Sequence, residues 1–90
     1  MAKNDRDNHR DSVNRFIALA NSMKDEGLSP ELVSAALMTA SALYTTYSVS
    51  GNAGGLTDTG VDKVAERYRE ELERIQDMKR RMAESGEGDA

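Results

Sequence analysis

Residues 29–51 read SPELVSAALMTASALYTTYSVSG, and this stretch decides the fold. Ser29 is an N-cap by type, because its side-chain oxygen can accept from the free N–H groups of a first helical turn. Pro30 suits the next position, where no N–H is missed, and Glu31 sits well against the positive end of the helix dipole. Leu28 and Val33 stand at the two hydrophobic-staple positions. No Gly or Pro then follows until Gly51, so the pattern predicts a helix over 30–50 that Gly51 and Asn52 terminate.

That helix has no side dressed for water. Wound at roughly 100° per residue, Val33, Leu37, Ala40, Tyr44 and Tyr47 form one core stripe, with Leu32, Ala36 and Leu43 beside it. Ala35, Ala42 and Val49 make a third strip. Ser34, Ser41, Thr45 and Ser48 fill what is left, small hydroxyls able to bond back to a carbonyl of the preceding turn. In a lone bundle every helix has an outward face, so a helix that is apolar or small nearly all round leaves surface to cover. A second subunit is the expected cover. Residues 32–50 are also nineteen uncharged residues, just enough to span a bilayer. Seven of them are Ser or Thr, and the flanks lack Lys/Arg anchors, so the expectation is burial in protein and no membrane.

Outward from this helix, Asp11 or Ser12 can cap an earlier one in which Val13, Phe16, Ile17, Ala20 and Met23 recur at helical spacing before Gly27 stops it. On the other side, four glycines in 51–60 predict a loop, and Thr57, Asp58 or Thr59, the last boxed with Asp62, caps a third helix. Its Val61, Tyr68, Ile75 and Met82 are seven apart, with Val64, Leu72 and Met78 alongside. The predicted fold is all-α: a three-helix antiparallel arrangement over about 12–26, 30–50 and 59–84, within one helical domain spanning 12–84. A polar N-terminal tail (1–11) and a flexible C-terminal tail (85–90) are expected to flank it. About 25 residues of third helix reach roughly 37 Å, about 15 Å beyond the first. Ile75, Met78 and Met82 are therefore expected to overhang and, with Leu32 and Leu43, to form the interface of a dimer.

Ninety residues build a thin core, which strengthens that expectation. With no Cys and a lone His9, neither a disulfide framework nor a metal cluster of the usual donors can be assembled. Met1 to Asp11 is charged and has no apolar run, which fits neither a secretory signal nor a transit peptide, so the expected address is cytoplasmic. A net charge of −4 opposes counterion-driven binding to nucleic acid. The charge is also uneven, since Glu31 is the only charged residue between Gly27 and Thr57.

Candidate chemistry is sparse. His9 among Asn8, Arg10 and Asp11 reads as a solvated tail residue. The run Gly51-Asn52-Ala53-Gly54-Gly55 lacks the lysine and spacing of a P-loop, and Asp58 and Asp62 would repel an anion, so it reads as a connector. Glu66, Glu70, Glu71, Glu73 and Asp77 lack the histidines that carboxylate metal sites in bundles use. They read instead as a solvated face with pairs four apart, Glu70 with Arg74 and Asp77 with Arg81. Asn21, Tyr44, Tyr47 and Tyr68 are polar-tipped residues on or beside core stripes; the default is packing, and the other reading is a small pocket between helices. No nucleophile–base pair is visible, so neither a catalytic residue nor a cofactor is expected.

The stretches Phe16-Ile17-Ala18-Leu19-Ala20-Asn21, Val33-Ser34-Ala35-Ala36-Leu37-Met38 and Tyr68-Arg69-Glu70-Glu71-Leu72 resemble a family of short proteobacterial proteins known only as a domain of unknown function. The resemblance spans about residues 13–75. It implies a phenylalanine-and-alanine first helix, a valine-serine-alanine second helix, a variable loop and a tyrosine-bearing last helix, in the order found here. After Ala42, where the family carries an aromatic and an asparagine, this chain has Leu43-Tyr44-Thr45-Thr46-Tyr47. The resemblance brings no activity with it.

Two functions follow as expectations. The first is a non-enzymatic interaction or structural module that acts as a homo-oligomer and through binding other proteins. The alternative is a regulator or inhibitor of a nucleic-acid-handling machine, acting as an acidic helical binder without touching nucleic acid. A nucleic-acid mimic needs a nearly pure acidic face, whereas 58–84 interleaves eight acidic with seven basic residues.

Overall fold

The computed structural model describes residues 4–51 and 54–86. Three helices follow one another, α1 (Asp5–Asp25), α2 (Pro30–Ser50) and α3 (Asp58–Glu84), with no strand among the described residues, so the fold is all-α.

Local chemistry accounts for where the helices begin and end. The Ser29 side chain accepts a hydrogen bond from the Leu32 N–H at 3.1 Å, and α2 has the bounds its sequence predicts. Gly51 follows it in the left-handed region at φ +60°; Asn52, the other half of the expected stop, lies outside the described residues. For α3 the cap is Thr57, whose hydroxyl accepts from the Gly60 N–H at 3.1 Å. Thr59, the alternative cap in a box with Asp62, therefore falls inside the helix, as does Gly60.

The turn between α1 and α2 is a Schellman motif. Gly27 N–H donates to the Lys24 carbonyl at 2.9 Å and Leu28 N–H to the Met23 carbonyl at 3.4 Å, with Gly27 at φ +108°. Only a residue without a Cβ takes that conformation cheaply, which is why this helix stops at a glycine.

The start of α1 corrects the sequence reading. Neither Asp11 nor Ser12 is the cap; Asn4 is, its side chain accepting from the Asp7 N–H at 2.8 Å. Asp5 and Asp7 lie in the first turn, where the dipole favours them, and Arg10 reaches back to Asp7 at 3.3 Å. Most of the segment expected to be a tail, residues 1–11, is thus helix, including His9, which is exposed on α1. Residues 1–3 and, of the expected C-terminal tail, residues 87–90 lie outside the described residues. Ser85 caps α3, and Gly86 follows with its N–H on the Ala83 carbonyl at 3.1 Å.

The segment read as one domain divides into two compact units, Met1–Ser48 and Val49–Ala90. The first holds α1 and nearly all of α2. Val33, 8% exposed and close to the α1–α2 turn, is the one buried side chain among the described residues. Leu37 and Tyr44, expected with it on a core stripe, are 40% and 74% exposed, so the stripe is buried only at Val33. In the second unit Val64, Glu71 and Ile75 are half-buried, while Val61, Tyr68, Leu72, Met78 and Met82 are exposed.

Candidate association surface

The candidate surface is built from apolar side chains that are exposed among the described residues. Among the described residues, seventeen large apolar side chains are exposed against a single buried one. Single exposed hydrophobes are ordinary, but contiguous patches mark interaction sites. On α2 the expected interface residues Leu32 and Leu43 are exposed, as is Tyr47 beside them, and so are Met38 and Val49 on another side of the same helix. The apolar residues of α2 are hardly segregated, whereas those of α3 gather strongly to one side. On α3, Met78 and Met82 are exposed and Ile75 is half-buried.

Two hydroxyl-bearing residues of α2, Thr46 and Ser48, are compatible with a dry environment. Thr46 donates to the Ala42 carbonyl at 2.8 Å and Ser48 to the Thr45 carbonyl at 2.8 Å. A hydroxyl that returns its proton to its own helix presents mainly carbon outward, so covering it costs little.

Charge on α3 is paired along the helix. Arg74 makes two hydrogen bonds to Glu71, at 3.1 and 3.3 Å, so its partner is Glu71 three residues back and not the expected Glu70. These hydrogen bonds first, and the Glu71 charge second, raise the Arg74 pKa above its ordinary value. Arginine is charged at every working pH, so no titration follows from this. Asp77 pairs with both Arg80 and Arg81, at 3.1 and 3.4 Å, the second as expected. Arg69 lies 3.8 Å from Glu73. No group of three metal-ligating side chains occurs among the described residues.

Asn21, Tyr44 and Tyr47 lie in the first unit and Tyr68 in the second, all four exposed. Tyr68 lines an open hollow of about 630 Å³ together with Asp62, Ala65, Glu66, Arg69, Leu72 and Glu73, all from α3. A second hollow, of about 510 Å³, is lined by Pro30, Glu31, Ser34, Ala35 and Met38 of α2. Neither includes Asn21, Tyr44 or Tyr47. A small-molecule site encloses most of its ligand, and the wall of one helix cannot do so. By length and composition α2 is also long and apolar enough to cross a membrane, with a mean hydropathy of 1.2 over its most apolar window.

What the described residues define is a small all-α protein whose apolar residues lie mostly on its surface. The chain belongs to the family described as a protein of unknown function, DUF3144, which matches residues 10–81. That range is wider than the motifs that suggested it, and takes in most of α1 and nearly all of α3. No curated protein and no solved structure matches the chain.

Proposed function

We propose that this protein is a non-enzymatic helical module that acts as a homo-oligomer and through binding other proteins. The observation that carries the reading is α2, a helix of 21 residues with Glu31 as its sole charge and Val33 as its sole buried side chain. Water is a poor environment for such a helix, because each large apolar side chain covered contributes about 1.5–3 kcal/mol. Several per subunit offset an association cost of about 4–15 kcal/mol. Antiparallel packing of α1 and α2 belongs to the same proposal, supported by the short connection over residues 26–29. A twofold dimer is the simplest closed assembly. The absence of cysteine and the exposed position of His9 support a role without chemistry.

Light scattering at micromolar concentration tests this. A mass about twice the 9.9 kDa of one chain is expected. A single-chain mass, unchanged on dilution, overturns the homo-oligomer.

A further inference from the structure

Resting on that homo-oligomeric reading, we propose that the dimer is built by α2 pairing antiparallel with α2 of a second copy along one seam. Leu32, Ala36, Thr39, Leu43, Thr46 and Tyr47 share one side of the helix, spaced alternately four and three residues apart up to Thr46, with Tyr47 beside it. Leu32, Leu43 and Tyr47 are 52%, 68% and 56% exposed, and Ala36 and Thr39 between them are exposed too. Thr46 joins an apolar seam without penalty, since its hydroxyl is bonded to the Ala42 carbonyl.

Charge argues for a second copy as the occupant. A seam with no charge offers nothing to select a charged partner, and Glu31 lies about a third of a turn round the helix from it. Shape argues the same way. If the twofold axis passes at the level of Leu37 and Met38, Leu32 faces Leu43 of the second copy, and Ala36 faces Thr39 of the second copy. The leucines then meet at both ends while small residues in the middle let the two backbones approach. Both members of each pair come from the same seam, which is the self-complementarity that a twofold contact requires. Antiparallel alignment also opposes the two helix dipoles and holds the two Glu31 carboxylates about 20 Å apart along the axis, where parallel pairing sets them side by side.

The chain has no cysteine, so spin labels on single Met38→Cys and Val49→Cys variants of the full protein read the geometry. Both residues are exposed and lie on the same side of α2, away from the seam, so they share one lateral offset. Antiparallel pairing separates the Val49 labels by about 35 Å along the axis and the Met38 labels by about 2 Å. The inter-label distance at Val49 is therefore expected to exceed that at Met38 by at least about 15 Å. A dimer in which the two distances agree within a few ångströms overturns this pairing and leaves the homo-oligomer standing. A single-chain mass overturns both. Leu43→Asp, with circular dichroism to confirm retained helix, is expected to reduce the mass to one chain; an undiminished dimer places the interface elsewhere. Sedimentation of the unlabelled protein with neutral phosphatidylcholine vesicles, accompanied by loss of the dimer, overturns the pairing in favour of a lipid surface.

Discussion

Helices α2 and α3 are of comparable length and solve the problem of water in opposite ways. In α3 the charges alternate in sign, pair at three and four residues, and leave an apolar stripe on one side. In α2 Glu31 is the only charge and apolar or small residues face every direction, yet only Val33 is buried. A helix such as α3 is soluble on its own terms, since one side is made for solvent. A helix such as α2 depends on what surrounds it. The difference locates the demand for a partner in α2 first and in the α3 stripe second.

The largest expected effect lies where α2 is already covered. Val33→Asp places a carboxylate in the one buried position and is expected to cost at least about 3 kcal/mol, abolishing a cooperative melt. Thermal unfolding followed by circular dichroism checks it. A wild-type-like melt would show that the α1–α2 unit does not depend on the burial of Val33.

On α3 the corresponding change is Met78→Lys with Met82→Lys. Both side chains are exposed and lie outside the α2 seam, so helical content and the mass in solution are expected to stay intact. A mass falling toward that of one chain would bring the α3 stripe into the interface and narrow the contrast between the helices.

Much of this was legible in the residues. The bounds of α2 follow from Ser29, Pro30 and Gly51, because caps and stops are decided by chemistry within one turn. The start of α1 was hidden for the opposite reason. Asn4, Asp5, Asp7 and Arg10 extend it through a cap and an ion pair, with no apolar residue between Asn4 and Val13, so hydrophobic spacing is silent there. Asn4 followed by two acids was the signal available. The core was the least legible part. Leu37 and Tyr44 lie on the stripe of Val33, and periodicity reports which side is apolar without reporting what covers it. The same limit applies to Asn21, Tyr44, Tyr47 and Tyr68, whose residue types were informative and whose grouping depended on packing.

An intermediate effect is expected at the cap that starts α2. Ser29→Ala removes the acceptor for the Leu32 N–H and is expected to cost about 1 kcal/mol. Ser29→Asp should restore it, since a carboxylate accepts the same bond and suits the positive helix end. Urea denaturation of the three proteins at one concentration distinguishes them. Equal midpoints would mean that neighbours, and not the cap, hold the first turn of α2.

The smallest effect belongs to the solvated side of α3. Arg69 lies 3.8 Å from Glu73, and both side chains are about two-thirds exposed. An exposed pair gains little Coulomb energy in water and orders two long side chains to do so, which is why such pairs contribute about 0–1 kcal/mol. Arg69→Ala also places the strongest helix former at a position where packing does not decide the outcome. The two changes offset one another, and the shift in unfolding free energy is expected to stay below about 0.5 kcal/mol. The small residual should shrink further as salt rises toward 1 M and screens the pair. A loss above about 2 kcal/mol cannot come from an exposed ion pair. It would mean that Arg69 packs against a covered surface, and that the charged side of α3 has a partner, as proposed for α2.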